Sequence, residues 1–209
     1  MSKHYKLPLL LMIVTFAASV IFQTPAVAAE SKEAAAKSLI ESLGNQAVRI
    51  LSDKSLSETQ KEQQFDQFLD ADFDMPRIAR FVLGRYWRGA TEAEQKKFQT
   101  VFRNYMVSSY SQKIGSYSGE NIKINDAKSL NDKESLVYTL IERPQGPPIK
   151  LDWRVRQTSD GKSKIVDVIV EGVSMALTQR SEFASVAANK GGVAGLITEL
   201  ESKAKTASN

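Results

Sequence analysis

The stretch Ile149–Met175 reads IKLDWRVR, then QTSDGKS, then KIVDVIVEGVSM, and the rest of the chain is arranged around it. Its first and third parts alternate apolar and charged residues with period two, the pattern of half-buried strands. Between them Ser159-Asp160-Gly161-Lys162 supplies turn residues, so the two runs fold back as a hairpin. Charge selects the register. With Leu151 opposite Val170, Trp153 opposite Val168 and Val155 opposite Val166, Lys150 meets Glu171 and Arg154 meets Asp167. A slip of one residue sets apolar side chains against charged ones. A slip of two sets Asp152 against Glu171 or Asp167, and directly opposed like charges destabilise a sheet. The hairpin therefore has an apolar face carrying Trp153 and an ion-paired face. The apolar face needs a large partner, either protein alone or a ligand as well.

The chain has 209 residues, no cysteine and a formal net charge of +4. Residues 1–28 read as a secretory signal peptide. Lys3 and Lys6 form a basic n-region, Leu7 to Phe22 is apolar, and Ala26-Val27-Ala28 fits the small-residue cleavage rule, with the cut after Ala28 or Ala29. The apolar run is broken by Pro8 and Gln23 and is shorter than the roughly 20 residues of a membrane-spanning helix. Cleavage removes Lys3 and Lys6, leaving 26 basic against 24 acidic residues, or +2. That balance argues against nucleic-acid binding. It also removes His4, the only histidine. Without His or Cys, residues 29–209 have no material for a His- or Cys-rich zinc site, a Ser-His-Asp triad or a cysteine nucleophile. Their length suits a single domain with a sizeable core.

Four helices are expected before the strands. Ser31 to Lys54 carries the stripe Ala36, Leu39, Ile40, Leu43, Ala47, Ile50 and Leu51, with Gly44 as a weak point. A second starts at Ser57 with Gln60 completing a capping box. A short third runs from Asp74-Met75-Pro76 to Gly84. Thr91 and Glu94 open the fourth, whose stripe Phe98, Val101, Phe102, Tyr105, Met106 and Tyr110 is rich in aromatics. Strands Asn121 to Leu130 and Glu134 to Arg143 then flank the turn Asn131-Asp132. The second is apolar on both sides, as an internal strand is. Two closing helices, Leu177 to Asn189 and Val193 to Lys205, are separated by Gly191-Gly192. Helices around a four-stranded antiparallel sheet make the fold α+β.

Asp152, Asp167 and Glu171, with Tyr138, are the candidates for acid–base chemistry, which would require one carboxylate to enter a cavity with a raised pKa. The charge-matched register points them the other way, into cross-strand ion pairs. Arg77, Arg80, Arg85 and Arg88 bracket the short third helix. They read either as a solvated helix face or as contacts to an anionic head group or membrane surface, since guanidinium forks match phosphate oxygens.

Several segments resemble the MlaC family of periplasmic phospholipid carriers, also called toluene-tolerance proteins. They are Phe81-Val82-Leu83-Gly84, Trp87-Arg88-x-Ala90-Thr91, Phe98, Phe102 and Tyr110, Leu151-Asp152-Trp153, and Asp167-Val168-x-x-Glu171-Gly172-Val173-Ser174-Met175 with Arg180 and Phe183. The likeness runs from about Leu39 to Lys203. It implies an NTF2-like cone: a four-stranded antiparallel sheet wrapped by about six helices around a central apolar pocket for acyl chains. It further implies a non-enzymatic carrier in the periplasm, free of cofactors and metals. Such a carrier works in maintenance of outer-membrane lipid asymmetry. Its implied partners are phospholipid, an inner-membrane ABC transporter complex with its MCE-domain protein, and an outer-membrane lipoprotein complex. The alternatives are a hopanoid or other lipid carrier of the same fold, an NTF2-like lyase or isomerase using Asp167 or Asp152, and an interaction domain with a closed core.

On the carrier reading, the expected lipid contacts are Val82, Leu83, Phe102, Tyr105, Tyr110, Trp153, Val155, Val168, Val170 and Met175, with the four arginines at the mouth. Each buried methylene is worth roughly 0.8 kcal/mol, so two chains of about 16 carbons represent on the order of 25 kcal/mol. A carrier must hide nearly all of that surface to compete with a bilayer. Val168→Glu is accordingly expected to lose lipid while the domain stays folded.

Overall fold

The computed structural model describes residues 31–114 and 117–207, the side chains of residues 58, 110–114 and 207 excepted. The proposed signal peptide lies outside the described residues. Within them the chain forms seven helices and five strands.

Helix α1 (Lys32–Ser52) begins where the Ser31 hydroxyl accepts the Ala34 N–H at 3.1 Å. Helix α2 (Glu58–Asp72) begins with the expected capping box: Ser57 and Gln60 each accept the other's backbone N–H, at 3.3 and 2.8 Å. Helix α3 (Met75–Leu83) starts on Asp74 and stops at Gly84, whose φ of +58° ends the helix. A single turn, α4 (Tyr86–Gly89), follows, too short for periodicity to reveal. Helix α5 (Glu92–Ile114) opens with the reciprocal Thr91–Glu94 bonds at 2.8 and 3.2 Å. The strands are β1 (Asn121–Asn131), β2 (Glu134–Glu142), β3 (Ile149–Gln157), β4 (Ser163–Val170) and β5 (Val173–Ser174). Helices α6 (Met175–Asn189) and α7 (Val193–Ala207) close the chain.

The sheet is an antiparallel meander in the order β1-β2-β3-β4-β5. The fifth strand, absent from the expected four, follows a two-residue turn at Glu171-Gly172. Both residues have positive φ, 48° and 82°, as a type I′ hairpin turn requires.

The β3–β4 register matches expectation over Leu151↔Val170, Trp153↔Val168 and Arg154↔Asp167. It then shifts, so that Val155 lies opposite Ile165 and not Val166. The extra residue is Val166, the mark of a β-bulge. Apolar residues of both parities in KIVDVIV had concealed it: Ile165 is as good a core residue as Val166, and it is fully buried.

Two cores result. On the apolar face of the sheet, Val137, Trp153, Val155 and Ile165 pack against Ala36, Ile40 and Leu43 of α1. The approach is close: a Cβ added at Gly44 would lie 2.2 Å from Ile122 Cγ2, so the glycine that weakens the helix lets it sit on β1. The second core is all helical and includes Ala79, Val82, Leu83, Phe98, Phe102, Phe183, Leu196 and Leu200. Here the aromatic stripe of α5 finds its partner in another helix: the Phe183 ring stands edge-on to Phe98, Phe102 and Tyr105 at 6.1, 5.9 and 6.2 Å. Arg103 fastens α5 to α2 through Asp66 and Asp70 at 2.6 and 2.7 Å.

Candidate functional site

A cavity of about 1150 Å³ lies between the sheet and helices α3, α4 and α6. It lies on the face of the sheet opposite α1. Glu134, Arg154, Val166, Asp167 and Ile169 form its floor, and residues of α3, α4 and α6 form its walls. The bulge matters here: it frees Val166 from the α1 face and turns it, beside Asp167, into the cavity.

Helix α3 explains one wall. Its positions Met75, Ala79, Val82 and Leu83 are buried in the helical core. Arg77, Arg80, Phe81 and Gly84, at helical spacing on the other side, face the cavity. Gly84 makes room for a neighbour: an added Cβ would come within 3.0 Å of Arg180 Nε, so the Arg180 side chain of α6 lies across it. Trp87 and Arg88 of α4, and Ala176 and Leu177 of α6, complete the lining. Leu177 is 56% exposed and Phe81 38%, so the apolar wall reaches the rim.

The acidic groups of the lining are each committed. Asp74 holds Arg77 at 3.0 Å and caps α3. Glu134 takes Arg156 at 2.6 Å and Arg154 at 3.7 Å. Asp167, only 8% exposed, accepts the Ser174 hydroxyl at 2.5 Å and the Ala176 N–H at 3.0 Å. It thus satisfies the N-terminus of α6, where backbone donors lack helical partners. The expected Arg154–Asp167 ion pair is corrected on this point: the two are opposite in the ladder, but the carboxylate turns to the helix. The Lys150–Glu171 pair is corrected too. Glu171 sits in the β4–β5 turn, and its carboxylate accepts the Lys150 backbone N–H at 2.7 Å.

Of the other acid–base candidates, Asp152 lies opposite Tyr138 on β2 and is not part of the cavity lining. Burial pushes its carboxyl above the usual range, while a hydrogen bond from the Thr139 backbone pulls it back. Lys128 covers the Tyr138 ring at 5.8 Å. Among the described residues no group of three His, Cys, Asp or Glu could hold a metal ion. None of their helices is long and apolar enough to cross a membrane.

The expected site residues divide in two. Arg77, Arg80, Arg85 and Arg88 all border the cavity. Of the ten expected tail contacts, the nine whose side chains are described do not. Val82, Leu83 and Phe102 are buried in the helical core, with Tyr105 packed on it. Trp153, Val155 and Val168 belong to the α1-covered core. Val170 and Met175 are half-buried elsewhere, and the Tyr110 side chain lies outside the described residues. The apolar sheet face was expected to look into the pocket. Helix α1 occupies it, and the cavity opens on the charged face. Sequence reasoning missed Arg154, Val166, Ile169, Leu177 and the role of Arg180. Position 84 held the one readable signal, a glycine required by a side chain lying over it.

The family model for MlaC protein matches residues 41–202. The intermembrane phospholipid transport system binding protein MlaC of Haemophilus influenzae is 28% identical over 126 residues. That alignment covers 59% of this chain and 58% of the relative, so the chain spans a little over half the length of the curated relative it matches. A phospholipid-binding protein of Ralstonia solanacearum, solved in complex with a phospholipid, superposes with a TM-score of 0.71. The superposition covers 85% of this chain and 98% of that one at 22% identity, a likeness of fold. With the family model spanning most of the sequence, the chain belongs to the MlaC family.

Proposed function

We propose that this protein is a periplasmic lipid carrier, exported by its N-terminal signal. On this reading it shuttles phospholipid between an inner-membrane ABC transporter complex, through that complex's MCE-domain protein, and an outer-membrane lipoprotein complex. The cavity carries the proposal: about 1150 Å³, somewhat beyond the roughly 300–1,000 Å³ of a small-molecule pocket, with an apolar wall and an arginine mouth. Acyl chains lie along Ile78, Phe81, Trp87, Val166, Ile169 and Leu177, and Arg77, Arg80, Arg85 and Arg88 meet the head-group phosphate. Membership in the MlaC family and the phospholipid named for the Ralstonia protein support the reading.

The protein binds and does not convert. Of the two carboxylates a lyase would use, Asp167 has both oxygens taken by the start of α6, and Asp152 is not part of the cavity lining. The test is native mass spectrometry of protein purified from cells, with identification of what is released. One bound phospholipid per chain is the expected result. Protein that emerges empty and takes up no lipid from vesicles would overturn the proposal.

A further inference from the structure

Six arginines and three acidic residues line the cavity, an excess of three positive charges where the whole chain carries only four. The excess is not spread evenly. Asp74 is paired with Arg77, Glu134 with Arg154 and Arg156, and Asp167 with the N-terminus of α6. Arg80, Arg85, Arg88 and Arg180 form no ion pair with any described residue. Aromatic rings hold three of them. Arg80 stands 6.0 Å from the Trp87 centroid, Arg85 5.0 Å from Tyr86, and Arg180 5.0 Å from Phe81. A ring face orients a guanidinium without consuming its N–H donors, although Arg85 also spends one on the Tyr86 hydroxyl at 3.2 Å. The result is a preorganised set of charged donors around one mouth, inside a cleft whose low-dielectric walls focus the field.

From this we infer that the cavity discriminates among lipids by head-group charge: it holds net-anionic phospholipids in preference to zwitterionic ones with the same tails. The inference rests on the carrier reading and adds its specificity. A zwitterionic head group brings an ammonium into the arginine cluster, where like charge opposes it. A head group bearing phosphate and neutral hydroxyls meets only complementary charge. The four uncompensated arginines set the preference, and the apolar wall, indifferent to head group, sets the overall grip.

The test offers lipid-free protein an equimolar mixture of phosphatidylglycerol and phosphatidylethanolamine with identical acyl chains, and reads the captured ratio by native mass spectrometry. An excess of the anionic lipid of about tenfold is expected at low salt, the size of one charge-assisted hydrogen bond. It should shrink as the Debye length falls to about 3 Å near 1 M salt. The combined change Arg85→Gln and Arg180→Gln, at exposed positions, should weaken capture of the anionic lipid more than that of the zwitterionic one and so bring the ratio towards parity. Equal capture by the unaltered protein, or a preference for phosphatidylethanolamine, overturns the inference and leaves the carrier standing. An undiminished ratio in the double variant also overturns it, because these arginines would then not be its source. Capture of neither lipid brings down the carrier reading and this inference with it.

Discussion

The two faces of one sheet have opposite fates. The face bearing Trp153, Val155 and Ile165 is closed by α1 into a dry core. The face bearing Arg154, Asp167 and Ile169 meets α6 through Asp167 and otherwise borders the cavity. The greasier face is the solid one. Apolar side chains without a ligand collapse onto the nearest apolar protein surface, because burial is favourable wherever it is found. An open cavity persists where collapse is opposed, here by paired charges and arginines that hold their water. In this fold the charged face of the sheet marks the opening.

The sharpest way to break this comparison uses two neighbours. Val168 packs against the α1 core, and Val166 lines the cavity. Val168→Glu is expected to cost about 2–4 kcal/mol, because an unpaired carboxylate enters a closed core. This replaces the expectation that it would lose lipid from an intact domain. Val166→Glu is expected to cost less than about 1 kcal/mol, as surface changes do, and to lose bound lipid. Urea unfolding and lipid retention, measured on both, decide the matter. If Val168→Glu is the folded, lipid-free variant, the assignment of faces is reversed.

A smaller effect probes the seam between the faces. Asp167 sits on the cavity side but serves the fold, holding the first turn of α6. Asp167→Ala should cost about 1–3 kcal/mol, leaving the Ala176 N–H without its partner. Asp167→Asn, which keeps one acceptor, should cost less. A neutral Asp167→Ala in thermal or urea unfolding would show that the helix start does not depend on it.

The smallest effect lies outside both faces. The hydrogen-bonded Arg103 guanidinium holds the Asp70 carboxyl below its usual range. A carboxyl depressed in the folded state contributes stability above the ordinary carboxylate range, and loses it as pH falls through the depressed value. Unfolding followed below about pH 4 should therefore show a declining limb that Asp70→Asn makes shallower. An unchanged limb would place the acid sensitivity elsewhere.

Much of this architecture could be read from residues alone, for local reasons. The capping boxes at Ser57–Gln60 and Thr91–Glu94, the stop at Gly84 and the period-two runs of β3 and β4 depend on neighbours a few positions apart. That Arg77, Arg80, Arg85 and Arg88 cluster was legible as well, because the four bracket a short helix and its exit; that they border one cavity came from the structure. The bulge at Val166 was not legible, since Ile165 and Val166 are interchangeable to a pattern of apolar and polar residues. The contribution of Arg180 was out of reach for a different reason: it comes to Gly84 from nearly 100 positions away.

The chain's sequence by itself determined its six longer helices, its four longer strands, the charge-matched start of the hairpin and the family to which its motifs belong. Only the tertiary structure decided which side of the sheet is solid and which is hollow. Periodicity states that a face is apolar and must be covered; it does not state by what. That choice fell to α1, more than 100 residues earlier in the chain, whose glycine could lie flush against β1. Once the apolar face was taken, the space left for a ligand was the side lined with arginine.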